Sequence, residues 1–218
     1  YFAERKAGNI SQMLFESKHV WYRALNIEYY VGVDGISIAM IMLTAILVVA
    51  GILISWKIEK LTKEFFFLLS LLSVGAFGFF ISLDLFTLFF FLEVAVIPKF
   101  LLIGIWGSGK KEYSAMKLAL MLMGGSALVL VGILATYFNT DIGGGVHTFD
   151  ILQISQQHIS LEAQKIIFPL LFVGFGIFTA LFPFHTWAPD GHSSAPTAAS
   201  MFLAGISMKL GGYGCLRV

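Results

Sequence analysis

The chain has 218 residues, 58% hydrophobic and 12% charged, where soluble domains run at roughly 45–50% apolar and about 25% charged. That balance excludes an ordinary soluble domain and indicates an all-α, polytopic integral membrane protein. A formal net charge of +1, with no dense block of Lys and Arg, excludes nucleic acid as a partner.

The chain begins at Tyr1 with no initiator Met and stops at Val218 on the heels of a hydrophobic span, so a fragment of a longer protein is expected. Residues 1–33 set Arg5, Lys6, Lys18 and Arg23 among Trp21, Tyr22, Tyr29 and Tyr30. That mixture suits an interfacial segment at the membrane surface. Residues 34–218 form the transmembrane region. A first span runs from Asp34 to about Ser55 with no ionisable residue inside it, and it reads as structural. The connection Trp56 to Glu64 holds Lys57, Lys60 and Lys63, and a second span follows from Phe65 to about Ser82.

A tight turn near Asp84 leads into the third span, around which the functional reading is built. At about 1.5 Å of rise per residue, Glu93 lies roughly 14 Å from Asp84 and roughly 20 Å from Trp106, too deep to snorkel to either surface. An ionisable group at that depth costs roughly 2.5 kcal/mol or more and usually marks an ion pathway. The alternative is a buried acid that only fixes helix packing. Lys99 lies about 10 Å from Trp106 and, six residues after Glu93, well round the helix from it. It either snorkels or answers a carboxylate on another helix.

Gly107 to Glu112 turns the chain into a fourth span, about Tyr113 to Phe138, with Gly124, Gly125, Ser126 and Gly132 available for close helix contacts. Lys117 sits one turn inside it, within snorkelling reach of the surface. The next connection, Asn139 to Ser160, contains Gly143, Gly144 and Gly145 and no Lys or Arg; His147 and His158 there read as solvated. The first and third connections carry five lysines and the second and fourth none, which places the first and third in the cytoplasm and the N-terminal segment outside it. The fifth span starts near Glu162, and Pro183 breaks or kinks it before His185. A break at membrane depth requires protein or a wet cavity to satisfy it. His185 and His192 flank that break, where a His carries a proton near neutral pH or caps a freed carbonyl.

The sixth span, about Ala195 to Leu216, carries Lys209 roughly 20 Å from its start. Glu93 and Lys209 therefore lie at similar depth on different helices. Burial favours the neutral form of each and mutual approach the charged pair, so together they could form a proton-relay switch or a static ion pair. Cys215, the single cysteine, can form no internal disulfide. No phosphate-binding loop, zinc spacing or nucleophile motif is present.

Three stretches carry a family resemblance: Phe91-Leu92-Glu93-Val94-Ala95-Val96-Ile97-Pro98; Phe182 through Ser200, with its His185-Thr186-Trp187-Ala188-Pro189-Asp190-Gly191-His192 core; and Leu203 through Arg217. They resemble the antiporter-like membrane subunits of respiratory complex I and, more distantly, the matching subunits of multisubunit cation/proton antiporters. The resemblance implies that residues 65–218 form the first of two five-helix repeats, with a Pro-broken helix. It implies proton translocation coupled to quinone reduction, with Glu93 as the family's essential glutamate, Lys117 as a lysine of the next helix and Lys209 as the lysine passing protons onward. Partners would be other complex I membrane subunits and the lipid bilayer, with FMN, iron–sulfur clusters and quinone on partner subunits and no cofactor on this chain. Phe178 stands where the family usually has a lysine, and Lys99 is the expected substitute. A Na⁺/H⁺ antiporter subunit and a non-conducting structural subunit are the rival readings. A bacterial inner-membrane location follows from the same resemblance.

Overall fold

The computed structural model describes residues 1–6 and 13–218 and is mostly helical, as expected. A short helix, α1 (Phe2–Lys6), precedes an antiparallel hairpin of β1 (Leu14–Tyr22) and β2 (Ile27–Val33), which gives the expected interfacial segment its conformation. Residues 7–12 of that segment lie outside the described residues. The hairpin turns through a 3-10 turn at Arg23–Leu25 and through Asn26, whose φ of 51° is left-handed, a conformation Asn tolerates better than most residues. β-branched and aromatic residues on both sides of that turn, from Val20 to Tyr22 and from Tyr29 to Val31, favour the extended pairing.

Among the described residues, five helices are long and apolar enough to cross a membrane: α2 (Gly35–Ile54), α3 (Thr62–Ile81), α4 (Leu85–Trp106), α5 (Lys111–Phe138) and α7 (Leu161–Phe178). A short α6 (Ile151–Ser155) lies in the long connection before α7. After α7 the chain breaks, makes a 3-10 turn at Phe184–Thr186 and resumes as α8 (Trp187–Ser194). The sixth expected span is a run of α9 (Thr197–Phe202), a π turn at Leu203–Ser207 and α10 (Met208–Arg217).

Aspartates start three of these helices. Asp34 accepts hydrogen bonds from the amides of Ile36 and Ser37, Asp84 from Thr87, and Asp150 from Leu152 and Gln153, each satisfying donors that the first helical turn leaves free. The bundle then packs α3 on α4, α4 on α5, α5 on α7, and α10 on α7, with α2 against α3 and α9. Small residues permit the closest approaches: a Cβ on Gly75 would lie 2.9 Å from the backbone nitrogen of Ala95, and one on Gly174 2.9 Å from that of Val129.

The two ends of the bundle are distinct. At one, the first and third connections meet: the Trp106 indole donates to the Lys60 carbonyl at 2.7 Å, and the Ser108 amide to the Ser194 carbonyl at 2.8 Å. At the other, the hairpin meets the second and fourth connections. The Leu83 amide donates to Tyr30 and the Ile151 amide to Leu83, each at 2.9 Å, while Lys18 bridges Glu28 at 2.6 Å and Asp150 at 3.1 Å. The lysine-bearing connections thus share one end, the grouping that the loop charges imply.

Candidate functional site

Glu93 sits mid-way along α4, half-buried. The Ser126 hydroxyl of α5 donates to its carboxylate and is also 3.0 Å from the Leu122 carbonyl. A hydroxyl has one proton, so at any moment it serves either Glu93 or Leu122. The interaction that holds the carboxylate is therefore exchangeable without any backbone movement.

Lys99 lies further along the same helix, 1% exposed, and its ammonium has no hydrogen-bond partner among the described residues. It neither snorkels nor meets a carboxylate on another helix, which corrects both expectations for it. The charge that reaches it is Glu93, on its own helix. Long side chains lean along a helix surface, so the angle between two backbone positions understates how near their charges can come. A buried ammonium with no hydrogen bond costs several kcal/mol, and among the described residues its only companion as an unpartnered buried side-chain atom is the Ser207 hydroxyl.

Lys117, near the start of α5, does not reach freely for the surface. Its ammonium is 2.6 Å from Asp190 of α8 and 5.7 Å from the centre of the Tyr113 ring. The Ser114 and Ser194 hydroxyls, 2.7 Å apart, add a second tie between the same helices. Asp190 was not among the residues singled out from sequence. Its signal was a carboxylate directly after Pro189, the only Asp or Glu in the sequence beyond Glu162, and its partner lies 73 residues away.

The break before α8 is satisfied by protein. The fully buried indole of Trp187 donates to the Ile177 carbonyl at 3.0 Å, and the amides of Ala180 and Leu181 find Ile177 and Gly176. Phe178, also fully buried, fills the last turn of α7. Beyond it the backbone of Thr179 lies against Gly211 of α10, where a Cβ would come within 2.4 Å of the Phe175 carbonyl oxygen. His185 is exposed, stacks on Phe182 with ring centres 5.6 Å apart, and makes no hydrogen bond among the described residues. His192 Nδ1 lies 2.9 Å from the Ser200 hydroxyl and joins α8 to α9.

Lys209 projects from α10 onto an open cleft lined by Ile36, Met40, Thr179 and Tyr213, and its ammonium donates to the Ala204 carbonyl of the π turn. It does not pair with Glu93, contrary to expectation. Equal depth did not bring them together because α10 packs on α7 and α3, whereas α4 packs on α3 and α5. Above Lys209 the Tyr213 hydroxyl donates to the Phe80 carbonyl at 3.0 Å and accepts from Arg217, which also bonds Ser37 and lies 2.9 Å from Asp34. That network ties α10 to α2 and α3. The structure thus groups Glu93 with Ser126 and Lys99, groups Lys117 with Asp190, and leaves Lys209 and His185 on open faces.

A family model described as NADH:quinone oxidoreductase/Mrp antiporter, transmembrane, matches residues 82–218. The chain is 39% identical over 210 residues to NADH-quinone oxidoreductase subunit M of Rickettsia prowazekii, covering 94% of this chain and 41% of that protein. It is 35% identical over 198 residues to NAD(P)H-quinone oxidoreductase chain 4 2 of Microcystis aeruginosa, covering 91% and 35%. The chain spans about two fifths of the length of such curated relatives. Among solved structures, respiratory complex I from Thermus thermophilus superposes with a TM-score of 0.82 at 24% identity, covering 93% of this chain and 42% of the matched one. At that identity the likeness establishes the fold.

Proposed function

Because the chain belongs to the NADH:quinone oxidoreductase/Mrp antiporter family of transmembrane subunits, among relatives named subunit M and chain 4, we propose that it forms part of a proton-translocating subunit of an NADH:quinone oxidoreductase in the bacterial inner membrane. The observation that carries the reading is the placement of opposite charges on α4: a half-buried mid-span carboxylate on an exchangeable hydrogen bond to Ser126, and further along the same helix a fully buried ammonium without a hydrogen bond among the described residues, under the influence of that carboxylate. A group so placed changes its proton affinity whenever the neighbouring charge or hydration changes. That is what a relay site must do.

In this reading Lys117, held by Asp190, exchanges protons near one end of α5, Glu93 holds the mid-membrane proton, and Lys209 passes it on from the cleft beside the broken helix. His185, exposed at the break, serves as an accessory proton carrier. Lys99 supplies the positive charge that Phe178 no longer provides. FMN, iron–sulfur clusters and quinone belong to partner subunits, and the neighbouring chains are other membrane subunits of the same complex.

The test is the intact parent assembly reconstituted in liposomes, wild type against Glu93→Gln. Proton pumping and NADH-driven quinone reduction both collapse in the variant while the complex still assembles. Persistence of both activities would remove Glu93 from the pathway and leave a structural subunit.

A further inference from the structure

We propose that the lysine-bearing end of the bundle holds the phosphodiester headgroup of an anionic phospholipid between Lys60 and Lys111. The ammonium of Lys60, from the first connection, lies 3.2 Å from the Ile105 carbonyl oxygen, and that of Lys111, at the start of α5, lies 3.1 Å from the same oxygen. Two cations from separate elements are thus held within about 6 Å of each other on one acceptor.

The carbonyl does not neutralise them. The C-terminus of a helix such as α4 carries about half of one negative charge, and among the described residues neither lysine has a carboxylate within ion-pair distance. Lys57, Lys63 and Lys110 stand exposed around them; Glu59, Glu64 and Glu112 are exposed at the same end and pair with none of the five. The site is a fixed double cation lacking its counter-ion, and a phosphate diester is the anion that lysine binds as a point charge.

The surroundings select a lipid over a free phosphate. Trp56 and Tyr113 are 75% and 59% exposed at this end, and Trp106 is anchored to Lys60 through its indole, the aromatic arrangement of the headgroup region. Towards the membrane interior, Phe67 on α3 and Met116 and Leu120 on α5 present exposed apolar faces on the two helices that flank α4. They offer acyl chains apolar surface on the first turns of the two helices that rise from this end. Basic pockets between membrane helices bind anionic headgroups on this principle.

The experiment places the parent assembly in nanodiscs of equal phosphatidylglycerol and phosphatidylcholine, extracts it with mild detergent, and identifies retained lipid by native mass spectrometry. The readout is bound lipid, so it is independent of what the assembly transports. Wild type and Lys60→Arg/Lys111→Arg retain phosphatidylglycerol selectively, and Lys60→Gln/Lys111→Gln loses it by roughly tenfold. Should the double glutamine variant not assemble, Lys111→Gln alone carries the test with the same expected direction. Equal retention in the glutamine variants, or equal retention of phosphatidylcholine, overturns the site. Displacement of the lipid by millimolar glycerol phosphate overturns the lipid as its occupant.

Discussion

Lys99 separates two effects that usually travel together. Its ammonium is buried without a hydrogen bond, so the folded chain carries a desolvation cost for it. Replacing such a charge by an apolar residue of similar length is often neutral or stabilising by roughly 1–4 kcal/mol. Lys99→Met should therefore leave the melting temperature of the assembly unchanged or higher, while proton pumping falls as far as in Glu93→Gln. A structural lysine would show the opposite pattern, with stability lost and pumping near normal. The residue's burial could not be read from sequence, where its distance from Trp106 left snorkelling open. Glu93 was legible because depth alone demanded an explanation, whereas Lys99, Asp190 and Ser126 acquire their meaning from what other parts of the chain bring beside them.

At the scale of the element, the helices differ in which glycines they can spare. A Cβ on Gly75 would lie 2.9 Å from the Ala95 nitrogen and 3.0 Å from the Phe91 carbonyl oxygen, both rigid backbone of α4, while one on Gly124 would meet nothing within 4 Å. Gly75→Ala should cost roughly 1–3 kcal/mol by forcing α3 off α4. Gly124→Ala should be tolerated, and thermal denaturation of the two variants in the same detergent distinguishes them. Equal stability would mean that α3 and α4 are not held at this spacing. From sequence, glycines were candidates for close contact only on α5, as Gly124, Gly125 and Gly132; the structure uses Gly125 and Gly132 but not Gly124, and the tight approach at Gly75 on α3 went unread. The spans and the Pro183 break were legible because length, hydropathy and a missing amide donor are local properties. The hairpin was harder: its aromatic residues fit a membrane surface equally well, and the pairing of Lys18 with Asp150 spans 132 positions.

Across the whole molecule, the hairpin and the fourth connection converge on the start of α4, and a titrating group lies at that junction. Asp84 is fully buried and accepts from the amides of Thr87 and Glu28. Burial pushes its carboxyl up to about 6 from an ordinary 3.8, against those amides, which favour the charged form. The folded chain therefore keeps this proton to higher pH than the unfolded chain does. The stability it contributes is full below about pH 4 and is lost as pH rises through about 6. The difference is worth about 2–3 kcal/mol. Asp84→Asn should flatten that slope, making the junction more resistant to opening than wild type at pH 7 and no different below pH 4. Hydrogen exchange at the Leu83 and Ile151 amides, corrected for intrinsic rates, reads it; a gap between variant and wild type that stayed constant with pH would count against Asp84 as its source. At the far end of the chain, the π turn at Leu203–Ser207 acts as a gear tooth. A π turn holds one residue more than the α-helical turn it replaces, so everything after it is indexed by about 100° relative to an unbroken helix. The face on which Lys209 meets the cleft is therefore set by a count of residues upstream, and an insertion or deletion between Thr197 and Ser207 would re-aim the lysine without touching it.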